Sequence, residues 1–168
     1  MNNFKYILFF LILVSLSRLI PHPPNFTPLL SVAIFLPFLL NDKRIILILP
    51  LAVLMITDFF IGSYKLMFWV YGSIFLISSL SHYFYTNSFK RLIALSVITP
   101  FLFFIITNFG VWLGSTFYTQ DFSGLLLCYF MAIPFLAVNL ISTILFSTTF
   151  FILFRLLYKR KEILDAPH

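Results

Sequence analysis

Apolar residues run along this chain in long blocks, and the polar and charged residues fall between them in short clusters. A helix needs about 20 predominantly apolar residues to cross the hydrocarbon core of a bilayer. Blocks at about residues 6–20, 27–40, 45–61, 66–85, 92–113 and 134–158 are therefore predicted as membrane-spanning helices. The first stops at Pro21-His22-Pro23-Pro24, a run that a helix interior does not tolerate. Asn41-Asp42-Lys43-Arg44 closes the second, Gly62-Ser63 the third, and Asn87-Ser88-Phe89-Lys90-Arg91 the fourth. The final stretch, 124–158, is too long for one simple span, and Pro134 divides it. Residues 123–133 read as a short interfacial helix, with the sixth span beginning at Pro134. The second block is short, which suits a segment partly shielded by protein. Pro37, Pro50 and Pro100 inside predicted spans read as kinks, which membrane helices tolerate when neighbours satisfy the freed carbonyls. The pattern predicts an all-α polytopic membrane protein with a single transmembrane domain over residues 1–168.

Composition excludes the soluble alternative. Of 168 residues, 61% are hydrophobic and 10% are charged, against about 25% charged in an ordinary soluble domain. Disorder is excluded as well, because disordered chains combine low hydrophobicity with high charge. The net charge of +6 sits in short loops, so it points to membrane orientation and not to nucleic acid. With the N-terminus inside, the inner loops hold Lys5, Lys43, Arg44, Lys90, Arg91, Arg155, Lys159, Arg160 and Lys161. Only Arg18 and Lys65 then lie outside. This bias needs an even number of spans, which supports six, with both termini inside. The single cysteine, Cys128, excludes an intramolecular disulfide. Met1 to Lys5, the apolar run and Ser15-Leu16-Ser17 also have the outline of a signal peptide. The segment that follows reads as part of a site, which favours an uncleaved first span.

Polar groups inside a bilayer are costly, so their depth is informative. Arg18 ends the first span, and His22, Asn25 and Thr27 follow in the outer linker. Thr57 and Asp58 fall in the outer third of the third span, Thr107 and Asn108 in that of the fifth. Trp112, Tyr118 and Asp121 come next, and Asn139 lies in the outer part of the sixth span. The inner halves hold mainly Ser and Thr, whose hydroxyls can bond their own helix carbonyls. Each group has a plainer reading. Arg18 suits snorkelling to headgroups. Asp58 suits an ion pair with Arg18 or Lys65, and Asn108 and Asn139 suit bridges between helices. Trp112 and Tyr118 suit an interfacial belt, and His82 an interfacial position. Their concentration on one side is better explained by an outward-opening pocket, with Phe26, Phe59, Phe109 and Trp112 beside the polar positions as apolar walls. The candidate substrate-binding residues are Arg18, His22, Asn25, Thr27, Asp58, Asn108, Trp112 and Asn139.

There is no P-loop, no H-E-x-x-H and no His/Cys cluster, so neither a metal site nor a cofactor is expected. A lone deep carboxylate without a nucleophile–base pair argues against an enzyme. No visible internal repeat points to an inverted-repeat transporter, and no chain of ionisable groups to a proton pump.

Several segments resemble a small, uncharacterised bacterial membrane family described as candidate transport proteins. They are Arg18-Leu19-Ile20-Pro21-His22-Pro23-Pro24-Asn25-Phe26-Thr27-Pro28, Thr57-Asp58-Phe59-Phe60-Ile61-Gly62, Thr107-Asn108-Phe109-Gly110-Val111-Trp112, and residues 124–139. That family in turn looks like the substrate-binding S components of energy-coupling-factor vitamin transporters. The resemblance implies six helices, an outer loop after the first helix that gates the pocket, and a separate transmembrane coupling protein with two ATPases. One departure is plain: the small-x-x-x-small alanine motif of many S components is absent, and residues 4–16 are mostly Ile, Leu and Phe. The expected function is a membrane subunit that binds a small vitamin-like or micronutrient molecule for uptake. Arg18, His22 and Asn25 would form its gate, and Asp58, Asn108 and Asn139 its floor. The competing expectation is a non-catalytic structural or assembly protein of the cell envelope.

Overall fold

A computed structural model describes residues 3–164. Six helices follow in order: α1 (Asn3–Leu19), α2 (Leu29–Leu39), α3 (Lys43–Ile61), α4 (Met67–Tyr83), α5 (Phe89–Gly114) and α6 (Phe122–Leu164). Three stretches are long and apolar enough to cross a membrane: Lys43–Ile61, Phe89–Gly114 and Phe122–Leu156. The chain ends, and with them their expected placement inside, lie outside the described residues.

The short α2 organises the molecule. Its 11 residues rise about 16 Å, roughly half of the hydrocarbon thickness. Every residue from Leu29 to Pro37 is buried. A helix that is apolar on all sides is buried in protein or in lipid; α2 takes the first course and packs against each of the other five helices. Around it, α1 meets α3, α3 meets α4, α4 meets α5 and α5 meets α6. Phenylalanine rings complete the circle. Phe10 of α1 and Phe150 of α6 meet edge-on at 5.2 Å, and Phe35 of α2 lies within 6.2 Å of both.

The outer helices bury one stripe each. In α3 it is Ile46, Leu49, Pro50, Val53, Leu54, Thr57 and Asp58, a helical repeat that leaves Ile48, Met55 and Phe59 facing outward. In α4, α5 and α6 the stripe carries small hydroxyl residues, including Ser73, Ser96, Thr99, Ser142 and Thr143. Small side chains let helix backbones approach closely. Their hydroxyls donate to the helix's own carbonyls, as Ser96 does to Leu92 and Thr99 to Leu95. At Gly110 the approach is closest, because a Cβ there would run into the Trp69 ring.

The last element differs from the sequence expectation. No separate interfacial helix precedes Pro134; α6 runs unbroken through it. Proline removes one helical hydrogen bond, but the segment before it is held by α5. The Tyr129 hydroxyl donates to the Ile105 carbonyl at 2.7 Å, and the Cys128 thiol to the Asn108 carbonyl at 3.5 Å. The helix begins on a compact loop. Asp121 caps it by accepting from the Gly124 N–H, Ser123 Oγ and Thr119 Oγ1. Trp112 Nε1 donates to the Thr119 carbonyl, and Gln120 Nε2 to that of Trp112.

Candidate functional site

Arg18 occupies the same helical stripe as the buried Phe10 and Val14, each four residues apart, so it is directed into the bundle. It does not snorkel. Its Nη2 donates to Asp58 Oδ1 at 2.7 Å, and the side chains of this pair are 14% and 1% exposed. The other carboxylate oxygen accepts from the Tyr71 hydroxyl at 2.9 Å and the Tyr64 hydroxyl at 3.2 Å. Asp58 is thus neutralised by one cation and hydrogen-bonded by two phenols, as a buried carboxylate requires. Lys65, the other cation near it in sequence, is exposed. Arg18 is less fully satisfied: its Nη1 is buried with no acceptor among the described residues.

Beside this pair lies a cavity of about 260 Å³. Its polar lining is Arg18, His22, Asn25, Thr27, Tyr64 and Asn139; its apolar lining is Leu29, Leu30, Leu54, Ile61, Val70 and Phe103. All six helices or the loops beside them contribute. The linker between α1 and α2 is held over α6 by two contacts. The Asn25 carbonyl accepts from Ser142 Oγ at 3.3 Å, and Phe26 packs on Phe146 at 5.7 Å. Asn25 itself has φ of 65°, a left-handed conformation that asparagine tolerates better than most residues. His22 Nδ1 donates to the Ile20 carbonyl at 2.7 Å, which leaves its Nε2 available. Asn139 is 6% exposed, and its side-chain amide makes no hydrogen bond among the described residues.

The structure therefore brings together Arg18, His22, Asn25, Thr27 and Asn139 from the sequence-predicted set. Asp58 stands behind Arg18 and borders a different, broader cleft of about 650 Å³ between α3 and α4. Asn108 and Trp112 do not line the cavity. Asn108 Nδ2 is bonded to the Phe104 carbonyl of its own helix, and Trp112 holds the α5–α6 loop. The apolar walls also differ from expectation. Phe59 is 84% exposed, because Asp58, one residue away on the helix, takes the inward direction. Phe26 lies against α6 and Phe109 against Trp69. Tyr64 and Tyr71 were not singled out from the sequence. Tyr64 stands in the α3–α4 loop just after Gly62 and Tyr71 in the second turn of α4, so their only sequence signal was their closeness to Asp58.

Among the described residues, no group of three or more His, Cys, Asp or Glu stands close enough to hold a metal ion.

The bundle is an all-α fold built around a buried half-length helix, with three helices long and apolar enough to cross a bilayer. The chain belongs to DUF6580, a family of unknown function, whose model matches residues 1–164. No curated protein and no solved structure matches it.

Proposed function

We propose that the protein is a non-catalytic, multi-pass subunit of a bacterial cytoplasmic membrane that binds a small vitamin-like or micronutrient molecule for uptake. In this reading six helices form the membrane domain, both termini are inside, and the cavity opens outward. The observation that carries it is the lining of the 260 Å³ cavity, where polar side chains from α1, its following linker and α6 meet apolar ones from α2 to α5. A ligand site has this character: apolar walls and a few convergent polar groups. Energy would come from a separate transmembrane coupling protein and ATPases, since the chain has no P-loop of its own. Native mass spectrometry of the purified protein tests the reading. A co-purified small molecule, lost in Asn139→Ala, is the expected result. An empty protein, together with unchanged uptake of every tested micronutrient on deletion, would overturn it.

A second reading, a structural protein of the cell envelope, is favoured by one observation. Arg18 and Asp58 are paired with each other, as in a purely structural bridge. Co-purification with envelope proteins and no small molecule is its expected signature.

A further inference from the structure

We infer that the cavity selects an uncharged small molecule carrying a carbonyl-type acceptor, and that Asp58 sets this preference from behind the cavity wall. The inference rests on the ligand-binding reading and concerns the charge class of the ligand. Arg18 lines the cavity, but its charge is already matched by Asp58 at 2.7 Å. Two tyrosine hydroxyls donate to the same carboxylate, on its other oxygen. The net charge at this wall is therefore zero. A carboxylate entering the cavity would add an unmatched negative charge to a site walled by Leu30, Leu54 and Phe103, which is unfavourable where water is excluded. An ammonium group would meet the guanidinium first.

What the wall does offer is hydrogen bonding. Arg18 Nη1 is buried with no acceptor among the described residues, so its N–H donors are available to a ligand. Asn139 is 6% exposed, and its amide, which lines the cavity and makes no hydrogen bond among the described residues, supplies both a donor and an acceptor. A primary or cyclic amide, or a heterocycle with the same edge, matches both groups and leaves the site neutral. The volume sets the size. At about 260 Å³ the cavity falls just below the range of about 300–1,000 Å³ that suits drug-sized ligands, so the molecule is a single substituted ring or its equivalent.

Three probes of one shape and three charges test this on the full-length protein in nanodiscs: benzamide, benzoate and benzylamine, with binding followed by calorimetry and thermal shift. Benzamide is expected to bind tightest, and Asn139→Leu, which keeps the volume and removes the amide, is expected to abolish its binding. Asp58→Asn keeps hydrogen-bonding capacity and removes the neutralising charge, so preference is expected to move toward benzoate by about tenfold. Should Asp58→Asn fail to fold, Asn139→Asp puts the charge change inside the cavity and is expected to shift preference toward benzylamine. Benzoate binding tightest to the wild type overturns the charge assignment and leaves the binding-subunit reading standing. An unmoved preference in both charge variants overturns the role of Asp58. Binding of none of the three overturns the inference, and the co-purified molecule alone then decides the wider reading.

Discussion

Arg18 and Asp58 are the residues on which local stability and site chemistry converge. Removing one partner of a buried pair leaves a charge without compensation, so Arg18→Met is expected to destabilise the protein by about 3–5 kcal/mol. Replacing both partners with apolar residues of similar size, Arg18→Met with Asp58→Leu, is expected to restore most of that loss. Denaturant or thermal unfolding of the two single variants and the double variant in detergent checks the cycle. A loss in the double variant equal to the sum of the singles would mean that the two residues are uncoupled. The pair was among the readings that the sequence left open, because a carboxylate in an apolar helix needs a partner. The choice of Arg18 over Lys65 was not, because it depends on α1 lying beside α3. At the surface, Asp121 is held below its ordinary value of 3.8, chiefly by the Gly124 N–H and then by the Ser123 and Thr119 hydroxyls. A carboxyl with a lowered folded pKa stabilises above its unfolded value and loses that contribution as pH falls through the folded one. The protection factor of the Gly124 amide, its exchange rate relative to the unstructured rate at the same pH, is therefore expected to be higher at neutral pH and to fall on acidification below 3.8, and Asp121→Asn to remove that pH dependence.

Among the elements, α2 is buried from Leu29 to Pro37, and Phe35 at its centre is the hub of the ring contacts. Phe35 is 2% exposed and contacts the rings of Phe10, Phe38, Phe150 and Phe154. Phe35→Ala is expected to cost about 3–5 kcal/mol, the range for truncating a buried phenylalanine, measured as a fall in the unfolding midpoint. Gly110→Val is expected to push α4 and α5 apart at Trp69 and to lower stability, with Trp69→Ala in the same background recovering part of the loss. If Gly110→Val unfolds like the wild type, the close approach has no energetic weight. The existence of these helices was legible from the spacing of charges and prolines. The continuity of α6 was not, because a proline's local preference was outweighed by the hold of α5 on Cys128 and Tyr129.

For the whole molecule, the proposed six-span topology has a direct test through accessibility. Phe117 in the α5–α6 loop is 95% exposed, whereas Cys128 is 1% exposed. Phe117→Cys and Ser63→Cys are expected to react with a membrane-impermeant maleimide from outside intact cells. Asp42→Cys and Asn87→Cys are expected to react only after permeabilisation, and the native Cys128 to stay protected. Labelling of both sets from the same side would overturn the six-span arrangement. By itself the sequence determined the helical class and the apolar length of the helices, because long apolar blocks are punctuated by short charged and proline-rich clusters. It also grouped Arg18, His22, Asn25, Thr27 and Asn139 with Asp58, Asn108 and Trp112, because charge and proline punctuation fix where each helix begins and ends, and the first five of these line one cavity. Tertiary structure alone decided which polar groups face one another. A helix presents its side chains around a full turn, and only the positions of the neighbouring helices select an inward direction. That selection turned Asp58 toward Arg18, Tyr64 and Tyr71, left Asn108 on its own helix, and left the Asn139 amide unpartnered in the cavity.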